Sequence, residues 1–278
     1  MDVTQEYSIQ TRNSPIEQLG WAVNDTWVLI KRDIDHWMQQ PIYFLINLLF
    51  PVMMLLMFGY LIGGGMVPPD GGDYRAFLIP GVLTLTMFFG MESTFTTLVN
   101  DINKGVTDRF RSLPMHPSAV ILGRAGADMI QSILGLAVMA VCGLLMGWRW
   151  QNGLDQALLA FGLLLLLRFS FLWLSIFLAL LTHTPDAVMA VQILVWPIGF
   201  LSNIFASPDT MPAWLGAIVE WSPLSTTSNA VRLLFGSPIW SDNRWMIDYA
   251  VWLAIAWPLA LFAIFFPLSL RLYKRLGH

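Results

Sequence analysis

The chain has 278 residues, 56% of them hydrophobic and 12% charged, with a net charge of −3 at pH 7. Soluble domains carry about a quarter charged residues, so this composition excludes an ordinary soluble domain, and the net negative charge gives no nucleic-acid signature. The one cysteine, Cys142, lies inside an apolar run, which excludes an intrachain disulfide and argues against a cysteine-based metal site.

Residues 1–18 read as a polar start, without the short apolar core and small-residue cleavage site of a signal peptide. From Leu19 to Met38, Val23, Trp27, Ile30, Ile34 and Trp37 recur at helical spacing, with Asp25, Lys31, Arg32 and Asp35 elsewhere on the wheel. The charges forbid crossing, and Trp suits headgroup depth, so an amphipathic helix in the membrane interface is predicted. A cytosolic helix packed on a partner is the alternative. Residues 1–40 are therefore expected to be a cytoplasmic segment.

The remainder predicts an all-α polytopic membrane domain over 41–270, with six transmembrane helices at about 41–62, 76–99, 119–147, 156–181, 187–206 and 249–270. The first has no charged residue; at about 1.5 Å per residue it covers roughly 33 Å, enough for a hydrocarbon core of about 30 Å. Gly63-Gly64-Gly65 and Pro68-Pro69 end it. Trp148-Arg149-Trp150 reads as an interfacial anchor after the third span, and 271–278 as a cytoplasmic tail. Ten of the fifteen Lys and Arg residues fall on the side of the N-terminus, the loop after the second span and the C-terminus; four fall on the other side, and Arg168 is intramembrane. The excess places both termini in the cytoplasm of a multi-pass protein, expected in a prokaryotic plasma membrane.

Between the second and third spans lies a polar island, Asn100–Arg124, reading NDINKGVTDRFRSLPMHPSAVILGR. Gly105 permits a bend, while Pro114 and Pro117 disfavour an unbroken helix. Val106–Leu113 is predicted as about two helical turns, with Asp108 near its start and Arg111 near its end to suit the helix dipole. Phe110 and Leu113, three apart, share a face. Two structures satisfy these residues. One is a short helix across the membrane that offers Phe110 and Leu113 to a cytoplasmic partner; the other is an ordinary basic loop with its apolar residues in the headgroups.

Asp101, Lys104, Gly105, Asp108, Arg109, Arg111, Pro114 and Gly123-Arg124 resemble, in order and spacing, the cytoplasmic loop of type-2 ABC exporter membrane subunits, particularly the daunorubicin-resistance-like permeases. A second stretch, MPAWLGAIVEWSPLSTTSNAVRLLFG, is similar to that family's outer segment through Pro212, Trp214, Leu215, Pro223, Ala230, Arg232 and Gly236; Ser222 stands where many members carry Asn. The likeness runs over nearly the whole chain. It implies an exporter half: two permease subunits, identical or different, around a path, with two ABC ATPase subunits below. The island then resembles a coupling helix, with Phe110 and Leu113 seated in a groove of the ATPase and Arg109 and Arg111 on its rim. The chain contains no Gly-x-x-x-x-Gly-Lys-Ser/Thr nest for phosphates, so MgATP is expected on the partner and no cofactor or metal in this chain. The implied cargo is an amphipathic or hydrophobic compound such as a drug, polyketide, lipopeptide or lipid. Export of a lipid-linked polysaccharide is the alternative.

Glu92 and Arg168 are costly in hydrocarbon, roughly 2.5–3.5 kcal/mol for such a charge near mid-bilayer. From the predicted span ends they lie at heights about 10 Å apart, which leaves open a direct ion pair or a water-lined substrate path. Trp214, Leu215, Ile218, Val219 and Trp221 sit near helical spacing, so the outer segment is expected either to re-enter the outer leaflet under protein cover or to form an amphipathic surface hairpin. A metal-dependent intramembrane transferase is the competing class. Its support is one carboxylate pair, Asp70 and Asp73, where such enzymes need more carboxylates near mid-membrane.

Overall fold

The computed structural model describes residues 27–28, 30–31, 41–63, 73–105, 117–182, 184–205, 207–239 and 244–275, and among these every regular element is a helix. Helix α1, Pro41–Leu56, continues as a π-helical stretch, Met57–Ile62. Then come α2 (Tyr74–Asn103), α3 (Pro117–Leu145), α4 (Gly153–Thr182) and α5 (Pro185–Phe200). A 3₁₀ turn at Pro208–Thr210 leads into α6 (Ala213–Glu220) and α7 (Pro223–Phe235), followed by α8 (Arg244–Asp248) and α9 (Ala250–Arg275).

Helices α2, α3, α4 and α9 are each long and apolar enough to cross a membrane. Helix α1 with its π-helical continuation covers residues 41–62, whereas α5, Pro185–Phe200, is an apolar helix of 16 residues, below the ~20 that a straight crossing takes. They correspond to the first and fifth predicted spans; the first keeps its predicted bounds and the fifth ends early. Pro51 lies inside α1 without ending it, whereas Pro197 removes a backbone donor in the last turn of α5, which ends three residues later in the turn at 201–205. Conversely, α2 runs on to Asn103, one helical turn beyond the predicted end at 99.

Helix α4 is the centre of the bundle. It packs on α9 and α2, and α7 lies against all three. The core holds Phe77, Leu78, Ile79, Leu83, Leu164 and Phe235, all with negligible exposure. Trp148 belongs to this core. It is buried and packs edge-on against Phe235 at 4.8 Å, so it is not a headgroup anchor. Arg149 beside it donates from Nη1 to the carbonyls of Leu144 (2.6 Å) and Trp148 (2.8 Å), which serves the open carbonyl end of α3. The outward faces of α1 and α5 are apolar and exposed through Ile42, Ile46, Met53, Met189, Ile193 and Ile198.

Residues 27, 28, 30 and 31 are helical. Ile30 rests against Gly126 of α3, where an added Cβ would fall 2.6 Å from Ile30 Cδ1. The rest of the predicted interfacial helix lies outside the described residues. So do Asp108, Arg109, Phe110, Arg111, Leu113 and Pro114 of the predicted coupling helix.

Candidate functional site

The two ends of the island are fastened to each other. Helix α2 closes at Asn103, the Lys104 N–H donates to the Asn100 carbonyl at 3.0 Å, and Gly105 turns the chain at φ 66°, a left-handed conformation that glycine takes without a Cβ penalty. On the returning side, Arg124 of α3 reaches Asp101 Oδ2 with Nη1 at 3.8 Å and Asp128 Oδ1 with Nη2 at 3.3 Å. The structure therefore brings Asp101 and Arg124 together. Asp128 was not singled out in the sequence, although its i,i+4 spacing from Arg124 at a span entry is the signal that finds it.

Arg168 sits at the midpoint of α4 and is buried. Its Nε donates to Ser132 Oγ (2.8 Å) and its Nη2 to Thr94 Oγ1 (2.7 Å), while Nη1 is buried and has no hydrogen-bond partner among the described residues. Gly90 makes room for it, since a Cβ there would lie 2.6 Å from Arg168 Nε. Arg168 thus touches α2 at residues 90 and 94, one on either side of Glu92 in sequence. The height difference of about 10 Å expected from the span ends falls by about half, because α2 ends about one turn later than predicted. Successive helical residues turn by about 100°, so Glu92 points roughly opposite to Gly90. No ion pair between Glu92 and Arg168 occurs among the described residues; the polar side chain facing Glu92 is Gln192 of α5.

Between these two charges lies a cavity of ≈ 550 Å³, within the range of about 300–1,000 Å³ typical of small-molecule sites. Its floor is a stripe of α2, Thr86, Gly90, Ser93 and Thr97, at spacings of three and four. Gln131 and Ser132 of α3 form one wall with Arg168. Phe50 of α1 and Trp196 of α5 form the other, beside Glu92. Trp196 lies 4.8 Å from Phe50 and 4.9 Å from Phe89 between ring centroids. Gln131, Gln192 and Trp196 were missed in the sequence. Polar side chains recurring inside apolar spans were the available signal.

The outer segment is a helical hairpin. Pro212 precedes α6, whose Trp214 and Trp221 are exposed while Val219 is buried and Leu215 partly so. Ser222 caps α7, its Oγ accepting from the Ser225 N–H at 3.1 Å, with Pro223 in the first turn. Serine serves the cap as well as asparagine does, which accounts for the departure at this position. Arg232 of α7 is fully buried. It donates to three carbonyls, Phe77 (3.1 Å), Asn203 (3.2 Å) and Ile204 (3.1 Å), and its guanidinium stands 3.8 Å over the Phe77 ring. It thereby ties the hairpin to the start of α2 and to the turn after α5. Nearby, Asp73 caps α2, accepting from the Arg75 N–H and from Arg75 Nε at 3.0 Å. The hydrogen bond from the Arg75 side chain holds the Asp73 carboxyl below the usual carboxylate range, against the opposing effect of burial. That carboxylate is therefore engaged by an arginine, which removes support from the outer metal pair; Asp70 lies outside the described residues.

Comparison with known proteins adds the following. The family model described as "ABC-2 type transporter" matches residues 24–235. The chain is 33% identical over 255 residues to the daunorubicin resistance ABC transporter permease protein DrrB1 of Streptomyces coeruleorubidus, covering 91% of this chain and 87% of that one. It is 23% identical over 235 residues to the probable doxorubicin resistance ABC transporter permease protein DrrC of Mycobacterium tuberculosis, covering 84% and 83%. A doxorubicin resistance permease protein of the same organism, DrrB, is 26% identical over 151 residues, about half of each chain.

Proposed function

Because the chain belongs to the ABC-2 type transporter family of permease subunits, we propose that it is the membrane half of an ATP-driven exporter that carries an amphipathic or hydrophobic compound out of the cytoplasm or the inner leaflet. As a permease subunit it is a transport component and not an enzyme; ATP hydrolysis belongs to a partner chain. In this reading two permeases pair around the path, and each engages one ATPase through the island. The relatives named for daunorubicin and doxorubicin resistance favour a drug-like cargo over a lipid-linked polysaccharide.

Six crossings are proposed, with α1 and α5 completing the set, both termini cytoplasmic and the α6–α7 hairpin re-entering the outer leaflet. The burial of α7 among α2, α4 and α9 supports the re-entry, because broken backbone at membrane depth needs protein cover. The exposed apolar faces of α1 and α5 suit lipid or the second permease.

The observation that carries the coupling role is the Arg124 bridge to Asp101 and Asp128. A handle transmits displacement only if both its ends are fixed to the load, and this bridge fixes the entry and exit of the island. Phe110 and Leu113 then supply the docking knob, with Arg109 and Arg111 on its rim. Two measurements test this. The tagged permease, expressed beside the genes that adjoin its own, should co-elute with an ATPase. Phe110→Ala should leave the subunit inserted and ATP hydrolysed while export is lost; unchanged export in that variant removes the coupling role.

A further inference from the structure

The cavity on α2 holds a carboxylate at one edge and a guanidinium at the other. Its two ends differ in chemistry. At the Glu92 end the neighbours are rings. Phe89 shares the face of Glu92 at i,i+3, and Trp196 shares the face of Gln192 at i,i+4, so Phe50, Phe89 and Trp196 cluster on the side where Glu92 meets Gln192. Glu92 is half-buried and forms no ion pair among the described residues. A carboxylate beside aromatic faces attracts an organic cation twice, through charge and through the ring quadrupoles. Arg168 at the other end is already bonded to two hydroxyls, and its guanidinium has no carboxylate in direct contact among the described residues. Between the ends the lining from α2 is Thr86, Gly90, Ser93 and Thr97, a glycine and hydroxyls.

We propose that this cavity is a binding site for an amphipathic organic cation, whose protonated amine sits at Glu92 among Phe50, Phe89 and Trp196 and whose oxygen acceptors lie at the Arg168 end. The proposal deepens the exporter reading and takes its purpose from it, but binding can be measured without a motor. The isolated aromatic wall would accept any apolar molecule; the two charges at its ends select a bipolar one.

The full chain is placed in phosphatidylcholine nanodiscs, whose zwitterionic surface does not itself concentrate cations. The probe is dansylcadaverine, with an amine at one end and sulfonamide oxygens near the other, titrated by its emission rise against empty discs. Its N-acetyl derivative is the neutral control. The wild type should bind the amine saturably, and Glu92→Gln should weaken that binding by about tenfold or more, equivalent to about 1.4 kcal/mol. Glu92→Asp should retain most of it, which separates loss of charge from loss of fold. The N-acetyl probe should bind the wild type and Glu92→Gln alike, and weakly. Arg168→Gln should weaken both probes. Equal affinity of wild type and Glu92→Gln for the amine, equal affinity of the wild type for the two probes, or no saturable binding by the wild type overturns the proposal. A permease that co-elutes with an ATPase yet binds no probe overturns the site alone. One that binds the probe yet elutes with no ATPase overturns the exporter reading alone.

Discussion

Arg168 and Arg232 are the two arginines buried in the described bundle, and neither has a carboxylate in direct contact among the described residues. Their surroundings are opposite. Arg232 is closed: three carbonyls and a ring occupy its whole guanidinium, and it joins three separate segments. Arg168 is open: two hydroxyls hold it, one nitrogen has no partner among the described residues, and the side chain lines a cavity. Buried charge therefore does two jobs in one bundle. Near the hairpin it is a fastener whose bonds are all internal. At mid-span it is a reserve of unspent hydrogen-bonding capacity, which is what a binding site needs and a structural clasp does not.

The sharpest way to break this contrast is to remove the fastener. Arg232→Met keeps the apolar stem and leaves the carbonyls of Asn203 and Ile204 buried without their donor. Each such group costs about 1–3 kcal/mol, so a loss of about 3 kcal/mol or more is expected, read as a large fall in the thermal midpoint of the detergent-solubilised chain. A variant as stable as the wild type would mean that Arg232 is not the clasp.

How much of this was legible in the sequence differs between the same two regions. The turn chemistry was plain: Gly105 after α2, Pro117 opening α3, Ser222-Pro223 opening α7 and Gly236 closing it are local signals read from local residues. Re-entry of α7 under protein cover was one of two readings of its segment, but the partners that cover it were not legible. The groups that satisfy PLSTTSNAVRLLF lie far along the chain; Arg232 reaches back to Phe77, and Asn229 meets Asn203. Trp148 misled for the same reason, since Phe235 covers it from a distant segment. At the cavity, Glu92 and Arg168 were conspicuous as charges in apolar spans. Their relative height depended on where α2 ends, and a one-turn error moved one against the other by about 5 Å.

A second expected effect is intermediate. Gly90→Ala would place a Cβ 2.6 Å from Arg168 Nε, and a displaced guanidinium loses its bonds to Ser132 and Thr94. Such overpacking costs about 1–3 kcal/mol. Because the clash is with Arg168 itself, the double variant Gly90→Ala/Arg168→Met should recover most of the loss. Additive losses in that cycle would show that the two residues do not meet.

On the outer side, Asp73→Ala removes the cap of α2 at a cost of about 1 kcal/mol. The sign with pH follows from the lowered carboxyl. A group whose folded value is depressed contributes above its unfolded value, near 3.9, and loses that contribution as pH falls toward the folded one. The gap between wild type and Asp73→Ala should therefore be steady at neutral pH and close on acidification below about 4. A gap that widened there would place the Arg75 pairing elsewhere.

The smallest effect completes the contrast. Arg168→Met removes a buried charge together with its desolvation cost, and the partners it abandons are not stranded. Ser132 Oγ also donates to the Asp128 carbonyl at 2.7 Å, and Thr94 Oγ1 to the Gly90 carbonyl at 3.2 Å, so both hydroxyls keep a bond when the guanidinium is gone. Replacing a poorly compensated buried charge with an apolar side chain of similar length is often neutral or stabilising. The thermal midpoint should move by no more than about 1 kcal/mol in equivalent stability, in either direction, while Arg232→Met in the same assay is severely destabilised. If the two substitutions cost the same, the open arginine is as structural as the closed one, and the cavity beside it is a packing defect with no ligand to wait for.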